Sequence, residues 1–236
     1  MARRRPADGF ARLLDAGLAV FARKGLKATR MSDVAREMGV SPGTLYGYVE
    51  SKEALFWVLV DRGLDEDPPA LPEVLPIKTP EWSRVLGRLR EQVHNEIWLP
   101  SLAGALKDLT VEPEDPAAEL EHVVGELYDL YTRTRLWTDV LEASSPSVPD
   151  LSDLYYGEVR RRILGKLNAY LGARIGSGAL HSEVAPLQVA LFVAETVTLF
   201  ARRRHRFLMG PAWGFSEEQV RDGCVRLVCD GLVRPS

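Results

Sequence analysis

Between Ser41 and Lys52 lies a dense group of residues suited to recognition rather than catalysis: Ser41, Pro42, Gly43, Thr44, Tyr46, Gly47, Tyr48 and Lys52. A threonine offers a hydroxyl and a methyl to base edges, and tyrosine hydroxyls reach phosphates. A lysine in the first turn of a helix adds a cation where backbone N–H groups point outward. Two glycines inside one short helix cost roughly 1 kcal/mol each relative to alanine. Close approach of that helix to a groove would account for them. An incidental helical hairpin in an all-α protein is the competing explanation.

No catalytic constellation accompanies this group. There is no Gly-rich phosphate loop, G-x-S-x-G elbow or H-E-x-x-H. His94, His122, His181 and His205 are scattered, and Glu121-His122 is too slight for a metal site. Cys224 and Cys229 would point about 140° apart on a helix, so they can neither pair nor chelate together. Both are expected to act as small helix residues in a reducing cytoplasm. The chain is therefore expected to be no enzyme and to need no cofactor or metal.

Charge is distributed unevenly. The formal net charge is −3 over 236 residues, yet residues 1–52 hold ten Lys/Arg against five Asp/Glu. A basic head on an acidic body suggests that the head alone meets a polyanion, although chance clustering would produce the same imbalance. Arg3-Arg4-Arg5 precedes the first helix as a basic arm for a narrow minor groove, or as a solvated tail. It does not open a signal peptide, because Asp8, Arg12 and Asp15 interrupt the apolar stretch that would follow. No window approaches 18 uncharged apolar residues, so no membrane contact is expected and the cytoplasm, on the nucleoid, is the expected location.

Several elements must position these residues, and the hydrophobic periodicity is helical almost throughout. Phe10, Leu14, Leu18 and Phe21 mark a first helix over 7–24, ended by Gly25. Short helices are expected over 31–38 and 42–48, parted by Gly39-Val40-Ser41, and a fourth starts at Ser51. Helices of about eight residues cannot stand alone. Val34, Ala35 and Met38 would form the inner face of one, and Leu45 and Val49 that of the other, leaving Tyr46 and Tyr48 outward. Residues 67–80 contain five prolines in 14 positions and predict a connector or loop. Helices then begin at Thr79-Pro80-Glu81, Pro100, Asp115-Pro116, Leu151 and Pro186. Residues 144–150 are expected as a loop, and Ser216 to Gln219 has the form of a capping box before the last helix. About ten helices and no strand are expected. The fold class is all-α, with a three-helix head at 1–52 and a larger helical domain at 53–236.

Residues 10–56 resemble the DNA-binding domain of the tetracycline-repressor (TetR) family. The resemblance rests on Leu14-Asp15-Ala16, Phe21, Gly25, Thr29, Asp33-Val34-Ala35 and Gly39-Val40-Ser41. It continues through Gly43-Thr44-Leu45-Tyr46, Tyr48 and Ser51-Lys52-Glu53-Ala54-Leu55. Gly17 stands where a second alanine is usual, Val49 where phenylalanine is common, and Arg30 where a small polar residue often sits. The resemblance implies that Thr29 and Ser32 lie beside DNA, with Arg30 tuning operator preference. It places Ser41, Pro42 and Thr44 in the major groove, and Tyr46, Tyr48 and Lys52 on phosphates, with Gly43 among the DNA-facing residues.

It also implies that the remainder binds a small molecule and dimerises through its last two helices. Leu187, Leu191, Ala194 and Thr198 on one helix, and Val220, Cys224, Leu227 and Val228 on the other, are the candidate interface. Candidate pocket residues are Trp57, Trp82, His94, Trp98, Tyr128, Tyr131, Arg135 and Trp137, each of which has core or surface as its plainer role. The run Arg202-Arg203-Arg204-His205-Arg206 suits a helix C-terminus, with a second polyanion contact as the alternative. The expectation is a homodimeric repressor on double-stranded operator DNA, released by a small-molecule effector. An activator or a regulator without ligand is a second reading, and a helical carrier or enzyme is a third.

Overall fold

The structure, a computed structural model, describes residues 7–62, 71–96, 99–203 and 214–233. Arg3, Arg4, Arg5, Trp98 and Arg204-His205-Arg206 lie outside the described residues. Among those described, the architecture is all-helical, with one isolated parallel bridge, Val49 to Ile77. Contacts divide the chain into two compact units: Met1–Glu96 with Leu136–Glu158, and Ile97–Arg135 with Val159–Ser236. The functional boundary expected at residue 52 falls inside the first unit.

In the first unit, α1 (Ala7–Ala28) buries Phe10, Leu13, Leu14, Val20 and Phe21, the three-and-four spacing of a single helical face. Its regular helix ends at Gly25, as expected, and a last turn follows a kink there, with φ 74° and ψ 166°, a conformation open essentially to glycine alone. A side chain at Gly25 would also collide with the Ala143 carbonyl oxygen, 2.3 Å from where its Cβ would sit. The Leu26 N–H donates to Ser144 Oγ at 2.9 Å, so this bend is pinned across 118 residues of sequence. Helix α2 (Met31–Met38) buries Met31, Val34, Ala35 and Met38, and left-handed Gly39 (φ 70°) ends it.

Helix α3 (Pro42–Leu45) is shorter than the expected 42–48. Beyond Leu45 the chain tightens into a turn, with the Tyr48 N–H donating to the Leu45 carbonyl at 2.8 Å. Helix α4 (Lys52–Arg62) starts where Ser51 Oγ accepts the Ala54 N–H at 2.9 Å, the cap that residue was expected to supply. Residues 71–80 are a non-helical connector that bends over 73–76, and α5 (Trp82–Glu96) follows it. Phe56 gathers the aromatics of this unit: Phe21 edge-on at 5.6 Å, Trp82 stacked at 6.2 Å and Trp137 edge-on at 6.2 Å.

In the second unit, α6 (Pro100–Ala105) leads to α7 (Pro116–Arg133), whose N-cap Asp115 accepts from the Ala117 and Ala118 N–H groups at 3.0 Å. The chain breaks at Thr134 and resumes as α8 (Arg135–Ser144), whose residues from Leu136 belong to the first unit. The loop expected over 144–150 is cut short by α9 (Pro149–Ser152), which passes through a π-helical stretch, Asp153–Arg160, into α10 (Arg161–Ser177). Helix α11 (Pro186–Thr198) also ends in π-helical turns, Leu199–Arg203. Ser216 and Gln219 form the expected capping box at the start of α12 (Glu217–Asp230).

Leu120, Val124, Leu127, Leu167, Tyr170, Val193, Val197 and Val228 build the core of this unit. One charged pair sits inside it. Arg174 is 2 % exposed and binds Glu119 at 2.8 Å and the Val111 carbonyl at 2.8 Å, tying the loop before α7 to α10.

Candidate nucleic-acid interface

The bihelical element α2–α3 is held from behind. Arg12 donates to the Met38 carbonyl at 2.8 Å, Arg23 pairs with Glu37 at 2.6 Å, and Lys24 pairs with Asp33 at 2.8 Å. The Lys24 ammonium and the Arg30 N–H hold the Asp33 carboxyl below its ordinary range. These bonds engage three of the cations that made the head look basic, so the imbalance overstates the charge left for a polyanion. Arg30 and Arg36 are exposed on the outer side, with Arg36 also 3.6 Å from Asp33.

The outward face consists of Arg30, Ser32, Ser41, Pro42, Gly43, Thr44 and Tyr46, all exposed, with Leu45 fully buried beneath them. The hydroxyls of Ser41 and Thr44 lie 3.1 Å apart, a small polar platform on the first turn of α3. A Cβ placed on Gly43 would meet nothing nearer than Ser41 Oγ at 4.0 Å. Nothing among the described residues requires glycine there, and the absence of a side chain leaves the backbone open to a close external partner.

Three residues assigned to DNA contact are placed elsewhere. Thr29 is 1 % exposed, and its hydroxyl donates to the Gly25 carbonyl at 2.7 Å, stitching the bend in α1. Tyr48 is 3 % exposed and packs on Phe10 with ring centroids 5.9 Å apart. Its hydroxyl crosses Gly9 so closely that a Cβ there would be 2.6 Å away. The turn after Leu45, replacing further helix, rotates this ring inward. Lys52 is half-buried and donates to the carbonyls of Lys27 at 2.8 Å and Thr29 at 3.1 Å, capping the end of α1. Gly17 also has a packing reason, because an alanine Cβ would lie 2.8 Å from Leu55 Cδ2.

The pocket candidates fall in both units. In the first, Trp57 lies under the Arg84 guanidinium at 4.9 Å and lines an open cavity of about 560 Å³ with Phe10, Val58, Pro72 and Ile77. Trp82 stacks on Phe56 and donates from Nε1 to Asp150 at 2.8 Å, while Trp137 contacts Phe56 and His94 is exposed. In the second, Tyr128 and Tyr131 are core residues and Arg135 is half-buried. Burial raises the Tyr131 hydroxyl above the ordinary tyrosine range, opposed by a bond to Thr198 and by Arg160 and Arg202.

The interface candidates divide by exposure. Leu187, Leu191 and Leu227 are 51 %, 38 % and 74 % exposed, and Val220 is half-buried. Ala194, Thr198, Cys224 and Val228 are buried within their own unit and cannot meet a partner. The outward stripe of α11 passes instead through Phe192 and Leu199. A second apolar stripe of α11, through Val189 and Val193, takes the core side, and periodicity alone could not say which stripe the core would take. Burial also moves the Cys224 and Cys229 thiols up, to about 11 and about 12, and both remain free.

An exposed bihelical element on a three-helix head, followed along the chain by a larger helical domain, defines an all-α helix-turn-helix protein. Residues 13–57 match the family described as bacterial regulatory proteins, tetR family. It is 45% identical over 56 residues to the uncharacterized HTH-type transcriptional regulator YfiR of Bacillus subtilis, covering 24% of this chain and 27% of that one. It is 28% identical over 145 residues to the HTH-type transcriptional repressor KstR2 of Rhodococcus jostii, covering 56% and 62%. The chain thus spans less than two thirds of either relative. The structure of the ketosteroid transcriptional regulator KstR2 of Mycobacterium tuberculosis shares the fold, with a TM-score of 0.56, 16% identity and full coverage of both chains. No helix among the described residues is long and apolar enough to cross a membrane.

Proposed function

We propose that this protein is a transcription regulator that binds double-stranded operator DNA as a homodimer and is released from it by a small-molecule effector. The observation that carries the DNA reading is the outer face of α3. Gly43 stands in open space, beside the exposed hydroxyls of Ser41 and Thr44 and the 49 % exposed ring of Tyr46. Thr44 is the base-edge contact, and Tyr46, Arg30 and Arg36 are phosphate contacts. The head's match to a regulatory family supports the regulatory role, and the name repressor on the Rhodococcus relative supports its sign.

The homodimer rests on Leu187, Leu191, Phe192, Leu199 and Leu227, large apolar side chains exposed on α11 and α12. Two such heads would read half-sites about 34 Å apart, one helical turn of DNA. Selection of bound genomic fragments, followed by titration of the selected site at two salt concentrations, tests this function. A palindromic site whose affinity falls steeply with salt is expected. Failure to enrich any sequence, or affinity indifferent to salt, would refute it.

A further inference from the structure

We propose that residues 77–79 form a latch that fixes the orientation of the DNA-reading helix, with Glu50, Ile77 and Thr79 as positioning residues. This inference rests on the DNA-reading role of α3. A helix of four residues has no orientation of its own to enforce. Leu45 and Val49 anchor its inner side, and the chain leaves it through a turn whose backbone groups require partners.

Ile77 supplies them. Its N–H donates to the Tyr48 carbonyl at 2.8 Å, and its carbonyl accepts the Glu50 N–H at 3.0 Å. The Glu50 carboxylate then accepts the Thr79 N–H at 2.6 Å and pairs with Lys78 at 3.0 Å. The hydroxyls of Ser51 and Thr79 lie 2.6 Å apart, on the same Ser51 oxygen that caps α4. One short segment therefore bonds Tyr48, Glu50 and Ser51.

Pro76 and Pro80 flank the bonding residues, and proline restricts both itself and the residue before it, which reduces the freedom lost when the latch forms. Residues 77–79 lie outside the stretch matched by the family, 13–57, whereas Glu50 lies within it. It runs directly into α5, which begins at Trp82. A shift at the start of α5 would therefore pull on the exit of the reading helix.

The test uses the full-length protein and the site selected by the wild type. Glu50→Ala and Ile77→Pro should each weaken that site about tenfold, the scale of one lost hydrogen bond. They should also flatten discrimination among base variants facing Thr44 while leaving the salt slope unchanged. Glu50→Gln, which keeps an acceptor for the Thr79 N–H, should retain wild-type discrimination. Hydrogen exchange of the DNA-free wild type should show the Ile77, Thr79 and Glu50 amides protected, a readout independent of variant folding. Unprotected amides, or folded Glu50→Ala and Ile77→Pro proteins with wild-type base profiles, would overturn the latch and leave the DNA reading standing. A wild type that selects no DNA would overturn the DNA reading itself, and the latch with it.

Discussion

The outer face of α3 and the outer face of α11 expose residues that folding does not need, but of opposite chemistry. On α3 they are small and polar: Ser41, Gly43 and Thr44, with Tyr46 beside them. On α11 they are large and apolar: Leu187, Leu191, Phe192 and Leu199. A surface without internal purpose takes its character from what covers it, so the first face suits a hydrated polyanion with a groove and the second suits protein. The same residue types turned inward do different work. Thr29, Tyr48 and Lys52 are bound to Gly25, Phe10 and the end of α1, whereas Thr44 and Tyr46 face out.

The largest expected effect contrasts two neighbours on α12. Val228 is 3 % exposed and Leu227 is 74 % exposed. Val228→Glu should bury an unpaired carboxylate and remove at least ~3 kcal/mol of stability, which equilibrium denaturation would register. Leu227→Glu should leave the fold intact and yield monomers in sedimentation. A fully dimeric Leu227→Glu protein would remove α12 from the interface.

Next is Gly25→Ala, which meets both a positive φ and the Ala143 carbonyl. A loss of about 3 kcal/mol or more is expected, against almost none for Gly43→Ala. Equal losses at the two glycines would break the comparison between a structural glycine and an exposed one.

How much of this was legible in the residues depended on whether a signal was local. Caps and breakers are local, so Ser51, Gly39, Ser216 and the prolines Pro72, Pro76 and Pro80 marked their boundaries directly. The outward Thr44 followed from a four-residue spacing, Leu45 to Val49, that the core uses as expected. Tyr48 was misplaced because a turn replaced helix after Leu45, and a turn changes the side chain's direction by more than one helical step. Lys52 and Thr29 find their partners at the end of α1, and Gly25 needs Ala143, more than a hundred positions away. Such pairings leave no periodic trace. Ala194 and Thr198 faced inward rather than toward a partner for a related reason: α11 is apolar on two sides, and only the packed core chooses between them.

A smaller effect is expected at Lys52. Lys52→Met should cost about 1 kcal/mol of stability by leaving the Lys27 and Thr29 carbonyls without this donor. Its DNA affinity, measured on folded protein, should stay near wild type. A DNA defect without a stability defect would return this lysine to the phosphate contacts.

Acid should act through Glu50. The Thr79 N–H and Lys78 hold its carboxyl down at about 2, below the ordinary value of 4.5. A depressed carboxylate stabilises the fold above its ordinary value and loses that contribution as pH falls toward 2. Between pH 4.5 and 2, Glu50→Gln should therefore lose less stability than the wild type. Parallel acid titrations of the two proteins would contradict the bonded carboxylate.

The central claim is that the open backbone at Gly43 and the hydroxyl of Thr44 face DNA. Gly43→Ala and Thr44→Ala should be measured together for unfolding free energy and for binding to a panel of single-base operator variants. The expected result is wild-type stability for Thr44→Ala and, for Gly43→Ala, stability equal to wild type or up to about 1 kcal/mol higher. Gly43→Ala should lose affinity for every variant by tenfold or more as its methyl blocks close approach, about 1.4 kcal/mol. Thr44→Ala should lose about 1–3 kcal/mol at one or two base pairs only. Wild-type binding by both folded variants would contradict the account.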